Sequence, residues 1–141
     1  MPSYDATNTN NSKRAQRIYK DIDLDFGRNV VSNDVNKLTD VEAVKRSVRN
    51  LVQTNHFDRP FHPELGCNVR AMLFEPVTPL TALNLQRHVG EVLKNFEPRV
   101  RVQQILARPD IDRNAYNLRI SFYVVGHPDP VTVETFLERL R

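Results

Sequence analysis

The sequence is short of several things that would point to a function directly. It has one cysteine, Cys67, in 141 residues, so no disulfide can close within the chain. No apolar leader core follows the polar start from Met1 to Asn11, and the expected setting is therefore intracellular. No uninterrupted apolar run approaches the roughly 20 residues that cross a bilayer, which argues against a membrane protein. Four glycines are scattered along the chain, too thinly for a phosphate-cradling loop, and no serine stands in a G-x-S-x-G turn. Net charge is also missing from most of the molecule. Lys13, Arg14, Arg17 and Lys20 against Asp5 account for the whole surplus of +3, and sixteen basic and sixteen acidic residues remain beyond them. A balanced body has no net surplus from which to build the basic face of a nucleic-acid-binding domain.

What is present suits one folded domain. The chain has a common domain length, long enough to bury about two thirds of its unfolded surface, and 40% hydrophobic with 26% charged residues is ordinary globular usage. Residues 1–17 are rich in Asn, Thr and Ser and hold almost nothing to bury; they read as a disordered basic arm ahead of a domain over 18–141.

The periodicity predicts an α+β fold, with a small antiparallel sheet packed against three to four helices. Asp21 to Phe26 alternates, placing Ile22, Leu24 and Phe26 on one face of a strand and three aspartates on the other. Thr39 to Glu42 has the spacing of a capping box, and Val41, Val44, Val48, Leu51 and Val52 give the helix behind it one apolar stripe, ending near Thr54. Cys67 to Phe74 reads as a short helical segment. Thr78-Pro79 starts a longer helix with the stripe Ala82, Leu85, Val89, Val92, Leu93 and Phe96, which Pro98 stops. Two strands follow, the first with Val100, Val102 and Leu106 inward, the second with Leu118, Ile120, Phe122 and Val124 inward, joined by a turn over 109–115. Val133, Phe136, Leu137 and Leu140 have the spacing of a closing helix.

Catalytic constellations are weak. The aspartates at 21, 23 and 25 line a wet face beside a lysine, where nothing raises a carboxyl pKa as a general acid requires. His56, His62 and Cys67 share one loop but lack the close paired spacing of a metal site. Cys67 itself reads as a packed small residue. No cofactor, metal or catalytic residue is assigned, and the expectation is a protein that is not an enzyme. Glu97-Pro98-Arg99 stands apart. In an extended segment Glu97 and Arg99 project on the same side, outside both apolar stripes, where each could meet an opposite charge on another chain.

These motifs, in this order, resemble a known family. An opening Asp23, Leu24, Phe26 strand, Asn50-Leu51 with Thr54, Arg59-Pro60-Phe61 with Pro63, Leu65 and Gly66, Leu73-Phe74-Glu75, and Glu97-Pro98-Arg99 before a strand are similar to the contractile-tail baseplate wedge proteins of bacteriophages, the lysozyme-like acidic, GpW-related group. That group has a counterpart, TssE, in type VI secretion baseplates. Many members read Gly-Glu ahead of the Arg-Pro-Phe; this chain has Phe57-Asp58, keeping the acid and replacing the glycine. The resemblance implies a structural protein of the virion tail baseplate, assembled in the host cytoplasm in several copies around a ring. It would bind the wedge core bundle and other wedge proteins, and offer strand edges to the first tail sheath subunits. The expected partner-binding residues are Glu97, Pro98, Arg99, Arg101, Gln103, Arg59 and Arg119, of which Glu97 and Arg99 are expected to serve assembly rather than folding. Alternatives from other classes are a peptidoglycan-degrading, lysozyme-like glycoside hydrolase and a nucleic-acid-binding module acting through the basic arm.

Overall fold

A computed structural model describes residues 19–138; the expected arm over 1–17 and the end of the expected closing helix at Leu140 lie outside the described residues. The order of elements is β1 (Lys20–Ile22), β2 (Lys37–Thr39), α1 (Asp40–Gln53), α2 (Val69–Met72), α3 (Pro79–Phe96), β3 (Val100–Asp110), β4 (Ala115–Val124) and β5 (Pro130–Glu138). The fold is α+β, with two antiparallel sheets rather than one and three helices among the described residues, α2 being a single turn.

The main sheet runs β3-β4-β5, every pairing antiparallel. The α1 stripe (Val44, Val48, Leu51, Val52), the α3 stripe (Leu85, Val89, Val92, Leu93) and the inner face of β4 (Leu118, Ile120, Phe122, Val124) meet in one core. These are the positions the two periodicities predict, because burying an apolar stripe against an apolar sheet face is the dominant favourable term in folding. At the start of α3 the Thr78 hydroxyl accepts from the Thr81 amide at 3.1 Å, with Pro79 in the first turn where no amide is missed.

Four expectations are corrected. The first strand stops at Ile22, and Ile22, Leu24 and Phe26 are all more than half exposed; the aspartates, by binding Arg46 and their own backbone, fold the segment into turns instead. The capping box does not form. Asp40 enters α1 at φ +49 and gives its amide to the Tyr19 carbonyl at 2.7 Å, while Glu42 pairs with Lys45 at 2.7 Å. In β3 the register slips between Val102 and Gln104, so Ile105 and Ala107 take the inner face and Leu106 the outer one.

The closing segment is the largest correction, because it is a strand. Val131, Val133, Thr135 and Leu137 are buried in alternation, and Phe136 is 44% exposed. The run Val-Thr-Val-Glu-Thr-Phe-Leu carries both periods, and its β-branched residues suit a pleated surface beside β4 better than a helix.

The loop between α1 and α2 is tightly folded. Gly66 sits at φ +122, and a Cβ there would lie 2.5 Å from the Thr54 carbonyl oxygen, which accepts the Cys67 amide at 3.0 Å. Phe57 takes φ +69, a left-handed conformation that costs an L residue roughly 1–2 kcal/mol. The phenylalanine therefore holds a backbone conformation that glycine would adopt without strain.

Candidate partner-binding site

The site is built where α1, the end of α3 and the start of β3 converge. Pro98 stops α3, leaving Glu97 as its last cap with the amide bonded to the Leu93 carbonyl. The chain then turns so that the Val100 amide bonds the Glu97 carbonyl at 3.1 Å, and Arg99 leads into β3 with its carbonyl taking the Val125 amide at 2.9 Å. This short path brings the two side chains together. Arg99 Nε and Nη2 donate to the two Glu97 carboxylate oxygens at 2.6 and 2.7 Å, a forked pair.

Two further residues complete the cluster. Ser47 of α1 donates to Glu97 Oε2 at 2.5 Å and accepts from Arg99 Nη2 at 3.1 Å, while the guanidinium lies 5.5 Å from the centre of the Tyr19 ring. Glu97 is 3% exposed, so although it lies outside both apolar stripes its charge is met within the chain. Burial pushes its carboxyl pKa up, but the Arg99 and Ser47 hydrogen bonds outweigh that and hold it below the ordinary glutamate value. The Glu97 hydrogen bonds in turn raise Arg99. The guanidinium remains partly open at the surface, so the cluster presents a fixed cation backed by a buried anion.

The other predicted site residues divide between faces. Pro98, Arg101 and Gln103 are exposed beside the cluster, the last at the β3 register slip. Arg59 is exposed in the α1–α2 loop. Arg119 lies on the outer face of β4, paired with Glu134 of β5 at 2.7 Å. Of the two strands read from the sequence as antiparallel neighbours, β3 is a sheet edge and β4 is not, since β4 is central and β5 is the other edge.

Ser47 and Tyr19 were not anticipated. Ser47 did leave a signal: it falls three residues after Val44 and four before Leu51, a polar residue on the buried stripe of a helix, where a hydroxyl needs a partner. Tyr19 left none.

Other candidate chemistry disperses. His56 bonds the Gly66 carbonyl at 3.1 Å, His62 meets Glu64 at 3.2 Å, and Cys67 is fully buried with its thiol pushed up to about 12. Asp23 and Asp25 both bind Arg46, and the Asp25 amide together with Arg46 lowers the Asp23 pKa. Among the described residues no group of three metal-ligating side chains converges, and no helix is long and apolar enough to cross a membrane.

Comparison with known proteins supplies the context for this geometry. The family model for baseplate wedge protein gp25 matches residues 39–129, a span that includes α1, both motif-bearing loops, α3, β3 and β4. Baseplate wedge protein gp25 of Enterobacteria phage T4 is 31% identical over 115 residues, covering 82% of this chain and 86% of that one. Three solved structures share the fold. A Geobacter sulfurreducens protein described as a tail lysozyme has a TM-score of 0.64 at 20% identity, covering 71% of this chain and 91% of its own. A chain of the anti-feeding prophage baseplate has 0.61 at 18%, covering 88% of each. A chain of the type VI secretion system baseplate complex has 0.60 at 16%, covering 70% of this chain and 93% of its own. The match over most of both sequences, with the Glu97-Pro98-Arg99 turn inside it, establishes that this chain belongs to the baseplate wedge protein gp25 family.

Proposed function

We propose that this protein is a structural, non-enzymatic part of a contractile-tail baseplate that grips the wedge core bundle and starts the sheath. The observation that carries the reading is the juxtaposition of a rigid cation with an open strand edge. Arg99, fixed by Glu97 and Ser47, stands at the head of β3, and neither β3 nor β5 has a second strand neighbour among the described residues. An open edge offers backbone groups to an incoming strand, and flanking side chains choose which strand is accepted. Arg101 and the irregularity at Gln103 restrain indiscriminate pairing before the partner arrives.

The core bundle is assigned to the Glu97-Pro98-Arg99 turn and the first sheath subunits to the edges of β3 and β5. Other wedge proteins complete the surroundings, in the virion tail, with assembly in the host cytoplasm. The 1–17 arm is assigned to neighbouring subunits.

Among the described residues a hydrolase reading has no buried acid held protonated. A lysozyme-like mechanism needs a carboxyl kept protonated near neutrality, whereas Glu97, the buried acid among the described residues, is held ionised. Tails assembled without this protein test the proposal. Baseplate precursors without polymerised sheath are expected, restored by the wild-type chain. Sheath of normal length on baseplates lacking the protein would overturn it, as would clearing of cell-wall suspensions by the purified chain.

A further inference from the structure

We propose that the loop carrying Phe57 and Phe61 is a second docking surface, distinct from the Arg99 turn and the sheet edges. Its occupant is a chain of different sequence that offers an apolar pocket with a carboxylate at the rim. The inference rests on the baseplate reading above for its setting.

Two features of Phe57 work against the fold. It is 82% exposed, so its ring gains little from burial, and it holds a φ of +69 that favours glycine. A residue that the isolated domain would do better without is a candidate for a partner contact. Phe61 is 91% exposed four residues away, and the loop that presents both is rigid. The Phe57 amide bonds the Pro63 carbonyl at 2.9 Å, the Asn55 amide bonds the Asp58 carboxylate at 2.8 Å, and the His62 amide bonds the Arg59 carbonyl at 3.2 Å. Two aromatic side chains held out by a preorganised loop lose little entropy on docking, which is how interface anchors gain affinity.

The surface continues onto the preceding segment. A cleft of about 360 Å³ is lined by Leu24, Asn50, Gln53, Thr54, Asp58 and Arg59, so 52%-exposed Leu24 shares a surface depression with this loop. Charge selects the occupant. Asp58 is taken up by the Asn55 amide, whereas Arg59, between the phenylalanines, has no ion pair among the described residues. Two copies meeting through this surface would set Arg59 against Arg59, so a foreign carboxylate is the matching group.

The test uses Phe57→Gly, which removes the ring and suits the backbone, and Arg59→Glu, each in the full chain. Both should melt at or above the wild-type temperature and enter tails at least tenfold less well in competition with wild type. A photoreactive phenylalanine analogue at position 61 should join, in assembled tails, to a different chain beside an Asp or Glu. Undiminished incorporation of Phe57→Gly would overturn this inference alone, as would a fall in its melting temperature or an adduct to a second copy. Absence of the wild-type chain from purified tails would overturn the baseplate reading and this inference with it.

Discussion

Glu97 shows how one buried charge can fix a surface cation, the Arg99 guanidinium proposed above to meet a partner. Removing its carboxylate strands the Arg99 guanidinium and the Ser47 hydroxyl, so Glu97→Ala should lose roughly 2–4 kcal/mol of stability by chemical denaturation. Its pKa is lowered in the folded state, so the pair contributes fully above the ordinary glutamate value of 4.5 and is lost as pH falls through the lower folded value. The stability gap between wild type and Glu97→Gln should therefore be constant near neutrality and shrink below about pH 4.5. A gap that widens on acidification would mean that Glu97 is not held ionised. Gly66 makes a simpler demand. Gly66→Ala should lose more than about 2 kcal/mol, because its backbone lies outside L-residue space and the new Cβ meets the Thr54 carbonyl. The Glu97-Pro98-Arg99 turn was legible as chemistry worth noticing, yet the sequence could not say that the two charges satisfy each other. The third member of the cluster, Ser47, lies fifty positions before Glu97.

At the scale of elements, sequence periodicity succeeded where an element has one buried face. Both long helices and β4 follow from apolar spacing, and the Thr78-Pro79 start of α3 is as expected. It failed where two periods coexist or where polar side chains compete with the ladder. Val133 and Leu137 fit a helix stripe and a strand face equally well, and only the open side of β4 decides between them. The aspartates of 21–25 alternate as in a strand but spend their oxygens on Arg46 and local amides. The β3 slip is invisible in sequence because a bulge leaves composition unchanged. The strand assignment of β5 makes a contrast that a helix would not. Val133→Glu should cost about 3 kcal/mol or more by burying an unpaired acid, whereas Phe136→Glu, on the outer face, should cost no more than about 1 kcal/mol. Urea unfolding of the two variants reads this directly, and equal losses would contradict the alternation.

Among the described residues, helices α1 and α3 cover the inner face of β3-β4-β5, and neither edge strand has a further strand neighbour. A three-stranded main sheet with a helical back suits the proposed role of a part completed by neighbours, since the interior supplies stability while edges and loops remain for assembly. Hydrogen exchange in the free protein should find β4 slowest, bonded on both sides, with the outward amides of β3 and β5 exchanging readily. The measurement that bears most directly on the central claim is the same experiment on purified baseplates with the first sheath ring attached. The account predicts that outward amides of β3 or β5 become strongly protected while β4 is unchanged; identical exchange at both edges before and after assembly would contradict it.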